Sequence, residues 1–377
     1  MKVKQSLWRA GDAWPWQPSP LPEAQLVFLF GATSVFQREG LIDGLRAGQP
    51  QAIFVGCTTA GEIHDAEVTD DALSMTSVHF DHTRLRVVHS KLSSDVDSRS
   101  AGQQLARELA APDLVHVFVL SDGLAVNGSE LVRGMVEALP ASVTLTGGLA
   151  GDGARFATTL VCADATPEAG LVAAVAFYGD RLVVGHGSLG GWDPFGPERI
   201  VTRSQGNVLF ELDGQSALSL YKQYLGDHAD ELPASALLFP LEMRIGTGGH
   251  GLVRTVLNVS EADQSMTFAG DIPEGARIKL MKANFDRLVV GAEEAAQSSN
   301  KGFANTPIEL AILISCVGRK LVLKQRIDEE VEAVREVLGE KPVMAGFYSY
   351  GEISPFAPSA RCELHNQTMT ITTFGER

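Results

Sequence analysis

Short apolar runs recur along the chain in pairs, and each pair brackets a stretch whose apolar positions repeat at helical spacing. "AQLVFLFGAT" leads through "SVFQREGLIDGLRAG" to "QAIFVGCTTAGEI". "DLVHVFVLSDGLAVNG" leads through "SELVRGMVEAL" to "ASVTLTGGLAGDG", and "IELAILISCVGR" leads through "DEEVEAVREVLG" to "KPVMAGFYSYGEI". The pattern predicts three strand–helix–strand units. Each ends in a glycine followed by an acid: Gly61-Glu62, Gly151-Asp152 and Gly351-Glu352.

The helices carry their own signals. In the last unit Val331, Val334, Val337 and Leu338 form one stripe, acids fill the first turn and Gly339 supplies the stop. In the middle unit Asn127 or Ser129 can cap, and Leu131, Met135, Val136 and Leu139 make the buried face. The strands are apolar without alternation, as expected of strands covered on both faces. A short helical crossover makes each pair parallel and right-handed.

After each acid the period changes to two. "DALSMTSVHF", "RFATTLVCAD" and "CELHNQTMTITTF" read as half-exposed antiparallel strands, and "GLVAAVAFYGDRLVVGHGS" as a hairpin turning at Gly179-Asp180. A polar stretch at 226–236 suggests a boundary. The fold class is α/β, with two domains, internally repeated strand–helix–strand units and mixed sheets flanked by helices. The expected division is an N-terminal arm over 1–24, one domain over 25–225 and a second over 226–377.

Composition narrows the function. The 377 residues carry a formal charge of −15, which argues against nucleic acid or an anionic membrane as partner. Cys57, Cys162, Cys316 and Cys362 stand far apart with no C-x-x-C pair, which fits a reducing cytoplasm better than a disulfide framework. The first residues lack an apolar signal core, and no long uncharged apolar stretch occurs, so the expected location is cytoplasmic.

Ligands of open α/β sheets bind beyond the carboxyl ends of the parallel strands. Gly61, Glu62, Gly151, Asp152, Gly351 and Glu352 fall at such ends and are the candidate ligand-binding residues, together with Cys57 on the first turn. Cys57 raises cysteine catalysis, with His64 seven residues on. The matching positions in the last unit are Phe347 and Ser354, so the repeat lends that chemistry no support. Walker, dinucleotide, HExxH, EF-hand and kinase signatures are missing. The balance favours a small-ligand binding protein over an enzyme.

"GCTTAGEI", "TGGLAGDGARF", "GWDPFGPERIVTRSQGNVLFELDGQSAL", "FPLEMR", "LVRTVL", "SCVGRKLVL", "GFYSYGEISPF" and "CELHNQTMTITTF" together resemble the FIST family, from about residue 25 to the end. That resemblance implies an N-terminal and a C-terminal FIST domain in a bacterial cytoplasmic sensor that binds small ligands. In arrangement the chain is similar to the family's nitric-oxide-sensing haem proteins, which implies haem b and a partner histidine kinase. Haem needs an axial ligand, and His365 and His250 are the expected ones, with His64, His186 and Cys316 behind them. His116, inside "LVHVFVL", reads as a core histidine. The alternatives are haem-free binding of a small metabolite such as an amino acid, and an enzyme using Cys57 or the Gly-acid turns.

Overall fold

The structure is a computed structural model and describes residues 1–93, 96–246, 251–356 and 360–377. One series of elements is built three times. The first repeat runs β1 (Lys2–Trp8), β2 (Leu26–Gly31), α1 (Thr33–Phe36), α2 (Leu41–Arg46), β3 (Ile53–Thr58), β4 (Glu62–His64), β5 (Glu67–Thr69) and β6 (Leu73–His79). The second runs β7 (Arg84–Lys91), α3 (Ser98–Leu109), β8 (Leu114–Ser121), α4 (Gly128–Ala138), β9 (Thr144–Leu149), β10 (Val161–Ala163) and β11 (Leu171–Tyr178).

The third repeat opens with β12 (Leu182–Leu189) and is then interrupted. The interruption holds β13 (Asp193–Gln205), β14 (Val208–Leu212), β15 (Gln215–Ser216), α5 (Ala217–Leu225), β16 (Leu241–Arg244), β17 (Leu252–Arg254), β18 (Val256–Ser260), β19 (Ser265–Phe268) and β20 (Arg277–Lys282). It then resumes with α6 (Phe285–Ser299), β21 (Leu310–Cys316), α7 (Val317–Leu323), α8 (Ile327–Leu338), β22 (Val343–Ser349), β23 (Gly351–Pro355), β24 (Cys362–His365) and β25 (Met369–Glu376).

Each repeat forms a sheet around its parallel pair, β2 with β3, β8 with β9 and β21 with β22. The strand after each Gly-acid turn leaves for a neighbouring sheet. β4 pairs with β22, β10 with β3 and β23 with β9. The three sheets are therefore linked in a closed cycle, and none is complete without a strand from another repeat.

Alternation within the parallel strands explains how the sheets pack. Phe28 and Phe30, Phe118 and Leu120, and Ile312 and Ile314 point into one central core shared by all three sheets. Their neighbours Val27 and Leu29, Val117 and Val119, and Ala311 and Leu313 face the outer helices. Gly56, Gly147 and Gly346 sit opposite Leu29, Val119 and Leu313 in register, and a Cβ at any of them would overlap that residue's carbonyl oxygen. The repeat is thus written in glycine as well as in apolar pattern.

The expected parallel pairs and helices are present. Asn127, not Ser129, caps α4 by accepting from the Glu130 N–H at 3.1 Å. Two expectations change. β11 and β12 do not form a hairpin at Gly179-Asp180: β11 lies between β7 and β8, whereas β12 pairs with β25 in the next sheet. β6 and β25 are not half-exposed either, because each is an interior strand and nearly every residue in it is buried. Their Ser and Thr alternation mimics a solvent face, but β-branched and small polar side chains pack well between strands.

The inserted segment builds its own sheet and its own apolar cluster, from Val201 to Leu280. The expected boundary at 225/226 falls inside it, where α5 and the short turns after it share that cluster through Leu225 and Ala236. The expected arm begins with β1, which is paired along its length with β6.

Candidate functional site

The Gly-acid turns lie at the strand ends, where the ligand chemistry is expected. Glu62 is fully buried. Its Oε1 accepts from Thr59 Oγ1 at 2.5 Å and its Oε2 from the Ala72 N–H at 3.1 Å. Glu352 repeats this: Oε1 accepts from Ser349 Oγ at 2.7 Å, and Oε2 from the Thr368 N–H and Oγ1 at 3.2 and 3.0 Å. In both, the hydroxyl three residues back and the backbone just before the returning strand hold the acid. Burial pushes their carboxyls up, Glu62 to about 7 and Glu352 to about 8, despite those hydrogen bonds.

Asp152 differs. Its carboxylate accepts from the backbone N–H groups of Phe156, Ala157 and Thr158 at 2.8 to 2.9 Å and from the Tyr350 hydroxyl. Burial raises its pKa, but the hydrogen bonds outweigh it and the carboxyl titrates below its usual value. Gly61 lies under Lys320, whose Nζ donates to Ala60 O at 2.9 Å, and Gly151 donates to Thr58 O at 2.9 Å. Gly351 is in β23, opposite Leu149. These residues hold the repeats together, and none of them lines the cleft described below.

Cys57 points into the central core opposite Phe30, fully buried, and burial raises its thiol well above the usual range. His64 contacts Ser74 Oγ through Nδ1 at 3.3 Å. His116 is the core histidine the pattern predicts, held by Thr144 Oγ1 at 2.7 Å and Thr146 Oγ1 at 3.1 Å, and burial drives its pKa to about 3.

A cleft of about 380 Å³ opens where the inserted sheet covers the carboxyl ends of β8, β9 and β21. The ring of three linked sheets contributes Leu124 and Val126 from the loop into α4, Leu149, Val317 and Cys316. The inserted side contributes Asn207, Leu237, Thr255, Leu257 and Phe268. Phe156 stacks on Tyr350 with centroids 4.3 Å apart and planes 16° from parallel, giving the cleft a flat aromatic wall. The Tyr350 hydroxyl in turn accepts from the backbone N–H groups of Asp152 and Phe156 at 3.1 and 3.2 Å, so the wall is tied to a Gly-acid turn. Leu124, Phe156 and Leu257 are exposed at the rim. Thr255 is buried with its Oγ1 unpartnered.

The lining holds no Asp, Glu, His, Lys or Arg among the described residues. Its two titratable groups, Cys316 and Tyr350, are both pushed up by burial and stay neutral. Sequence reasoning passed over Phe156, Tyr350 and Thr255. Each lies inside a motif segment, "TGGLAGDGARF", "GFYSYGEISPF" or "LVRTVL", but an aromatic or hydroxyl there has no spacing that marks it.

The FIST N domain model matches residues 25–215 and the FIST C domain model matches 217–355. The chain belongs to the FIST family. FIST domains are associated with small-ligand sensing in signal transduction. No curated protein matches the chain. Among solved structures, cyanuric acid hydrolase from A. caulinodans is similar at 8% identity over 100% of this chain and 99% of that chain, with a TM-score of 0.37.

An axial histidine for haem must offer a nitrogen to an open apolar slot. In this FIST protein the His365 ring is buried, its Nε2–H is committed to the Ser354 carbonyl at 2.8 Å, and it borders neither the cleft nor the larger cavity beside it. Burial also lowers its pKa to about 4. Cys316 does border the cleft, but burial opposes the thiolate that iron needs. His250 lies outside the described residues. Neither His365 nor Cys316 therefore offers haem iron a ligand at the cleft. No described group of three or more His, Cys, Asp or Glu is arranged to hold a metal ion, and no helix is long and apolar enough to cross a membrane.

Proposed function

We propose that this protein is a non-enzymatic sensor whose cleft takes up a small, uncharged, flat ligand without haem and reports its presence to a separate signalling protein. The observation that carries the reading is the uncharged cleft itself, walled by the Phe156–Tyr350 stack and set at the strand ends. General acid–base or nucleophilic catalysis needs a group that changes protonation near neutral pH, and the lining offers none. A charged ligand would leave water for a wall with no counter-charge. A flat neutral one gains aromatic contact with Phe156 and a hydrogen bond from the unpartnered Thr255 hydroxyl. A histidine kinase is the proposed partner, on the strength of the family's place in signal transduction alone.

Indole serves as the probe. Titrated against the protein and followed by calorimetry, it should bind saturably, and Phe156→Ala should weaken it about tenfold, the loss of one stacked face. Equal affinity in the variant, or no saturable binding of indole or any neutral ring compound, would sink the reading.

A further inference from the structure

Beside the cleft, along the same junction between ring and insertion, lies a larger cavity of about 660 Å³. The contact from Asn127 Nδ2 to Asp271 Oδ1 at 3.3 Å stands between the two. Its character is different, because Arg254, one residue before Thr255, lines it.

Arg254 is 4% exposed, yet no carboxylate among the described residues comes within ion-pairing distance of it. Its contacts are backbone carbonyls: Nη1 to Leu364 O at 3.0 Å and to Val253 O at 3.5 Å, and Nε to Asp271 O at 3.4 Å. Two of the three are at the limit of a hydrogen bond. Nη2, with two donors, has no protein acceptor among the described residues, and it is not among the buried orphan atoms. Gly270 packs against the guanidinium, where a Cβ would lie 3.0 Å from Nε, so the backbone is shaped to hold this side chain in place. Burial lowers the pKa only to about 10, and the charge persists at neutral pH.

A buried cation with neither a paired anion nor a full set of acceptors is costly to keep. The other buried arginine shows the contrast: Arg319 meets Glu330 at 2.6 and 2.9 Å, and every nitrogen of its guanidinium has an acceptor. We propose that Arg254 is the anchor of a second ligand site and that this cavity takes a small organic carboxylate, whose oxygens complete the guanidinium. The planar fork of Arg matches a carboxylate. A phosphate dianion suits it less, since Glu363 and Asp271 already bear on Arg254 and Glu274 lines the same cavity. Arg133 is occupied by Glu130, which leaves exposed Arg361 as the second cation of the lining. The site stands apart from the uncharged cleft and does not depend on what fills that cleft.

The test uses benzoate as probe, with benzamide, inorganic phosphate and chloride at matched ionic strength, in calorimetry on the full chain. Benzoate should bind saturably and more tightly than benzamide or phosphate. Arg254→Gln should weaken it at least about tenfold. Glu363→Gln, at an exposed position, should tighten it by removing a repelling charge. That second variant decides the matter if Arg254→Gln fails to fold. Benzamide or phosphate binding as well as benzoate, benzoate binding unchanged in either variant, or no saturable benzoate binding by the parent protein would each overturn the assignment.

Discussion

Glu352→Gln should make the protein less stable below about pH 5 and progressively more stable than the parent as pH rises from there to 8. Glu352 is fully buried, and its carboxyl rises from the usual 4.5 to about 8, burial being the main cause, against hydrogen bonds from Ser349 and Thr368 and the charge of Arg319. The folded state therefore holds this proton more tightly than the unfolded chain does. The stability it confers is fully present below about 4.5 and is lost as pH rises through about 8. At about 1.4 kcal/mol per tenfold, the loss is roughly 1 kcal/mol by pH 5 and roughly 4 kcal/mol by pH 8. Glutamine cannot ionise and escapes that loss. Its amide can donate to Thr368 Oγ1 as the protonated acid would, but it leaves the Thr368 N–H without an acceptor, a cost of about 1 kcal/mol. The two stability curves should cross near roughly pH 5. Urea unfolding at several pH values between 5 and 8 measures the difference directly, and subtracting the variant from the parent cancels every other titrating group, Glu62 included. Parallel curves across that range would refute a raised carboxyl at Glu352.

Glu330→Ala leaves Arg319 buried without its partner and should cost about 3–5 kcal/mol in urea unfolding, while an apolar replacement of both residues should recover most of it. Cys57→Ala, a small truncation in the central core, should cost about 1 kcal/mol and leave indole binding unchanged. A covalent adduct on Cys57 during turnover of a thioester would reverse that reading.

Much of the fold was legible because its signals are local. The parallel pairs are continuous apolar runs, Asn127 announces α4, and Gly339 ends α8 at φ 76°. What stayed hidden was where strands go after leaving a turn. β4, β10 and β23 are each hydrogen-bonded to a strand of another repeat, and no spacing along the chain encodes the choice of sheet. The insertion was misread for a related reason. Its strands have the same two-residue period as the ring's, so the polar stretch at 226–236 looked like a boundary although its ends share one core. The candidate site was legible only in outline. A cleft does open at strand ends, but the Gly-acid turns expected to face a ligand clamp the repeats together, and the cleft lies beside them.

The location of the cleft follows from a flaw in the repeat. One residue fewer separates Gly147 from Asp152 than separates Gly56 from Glu62 or Gly346 from Glu352. The residue three before Asp152 is therefore Leu149, where the other repeats have Thr59 and Ser349. Without that hydroxyl the shorter acid turns to the loop after it, and its hydrogen bonds gather residues 156–158 around it. Phe156 is thereby held at a positive φ of 52° and against Tyr350. At the place of Tyr350 the first repeat has Ala60, and there Lys320 closes the junction by binding the Ala60 carbonyl. The junction at Tyr350 faces the insertion instead. It is roofed by the insertion, and the space between them is the cleft. Repeats that agree at every level make a rigid frame, and the position where one repeat departs from the rule is where function is expected. Restoring the rule tests this. Inserting one threonine between Leu149 and Ala150 would give the second turn the length of its sisters and put a hydroxyl three residues before Asp152. If the shortened turn is what opens the cleft, the insertion variant should fold, lose the Phe156–Tyr350 stack and bind indole at least about tenfold more weakly. A folded variant that keeps the parent's indole affinity would separate the cleft from the irregular turn and defeat the argument.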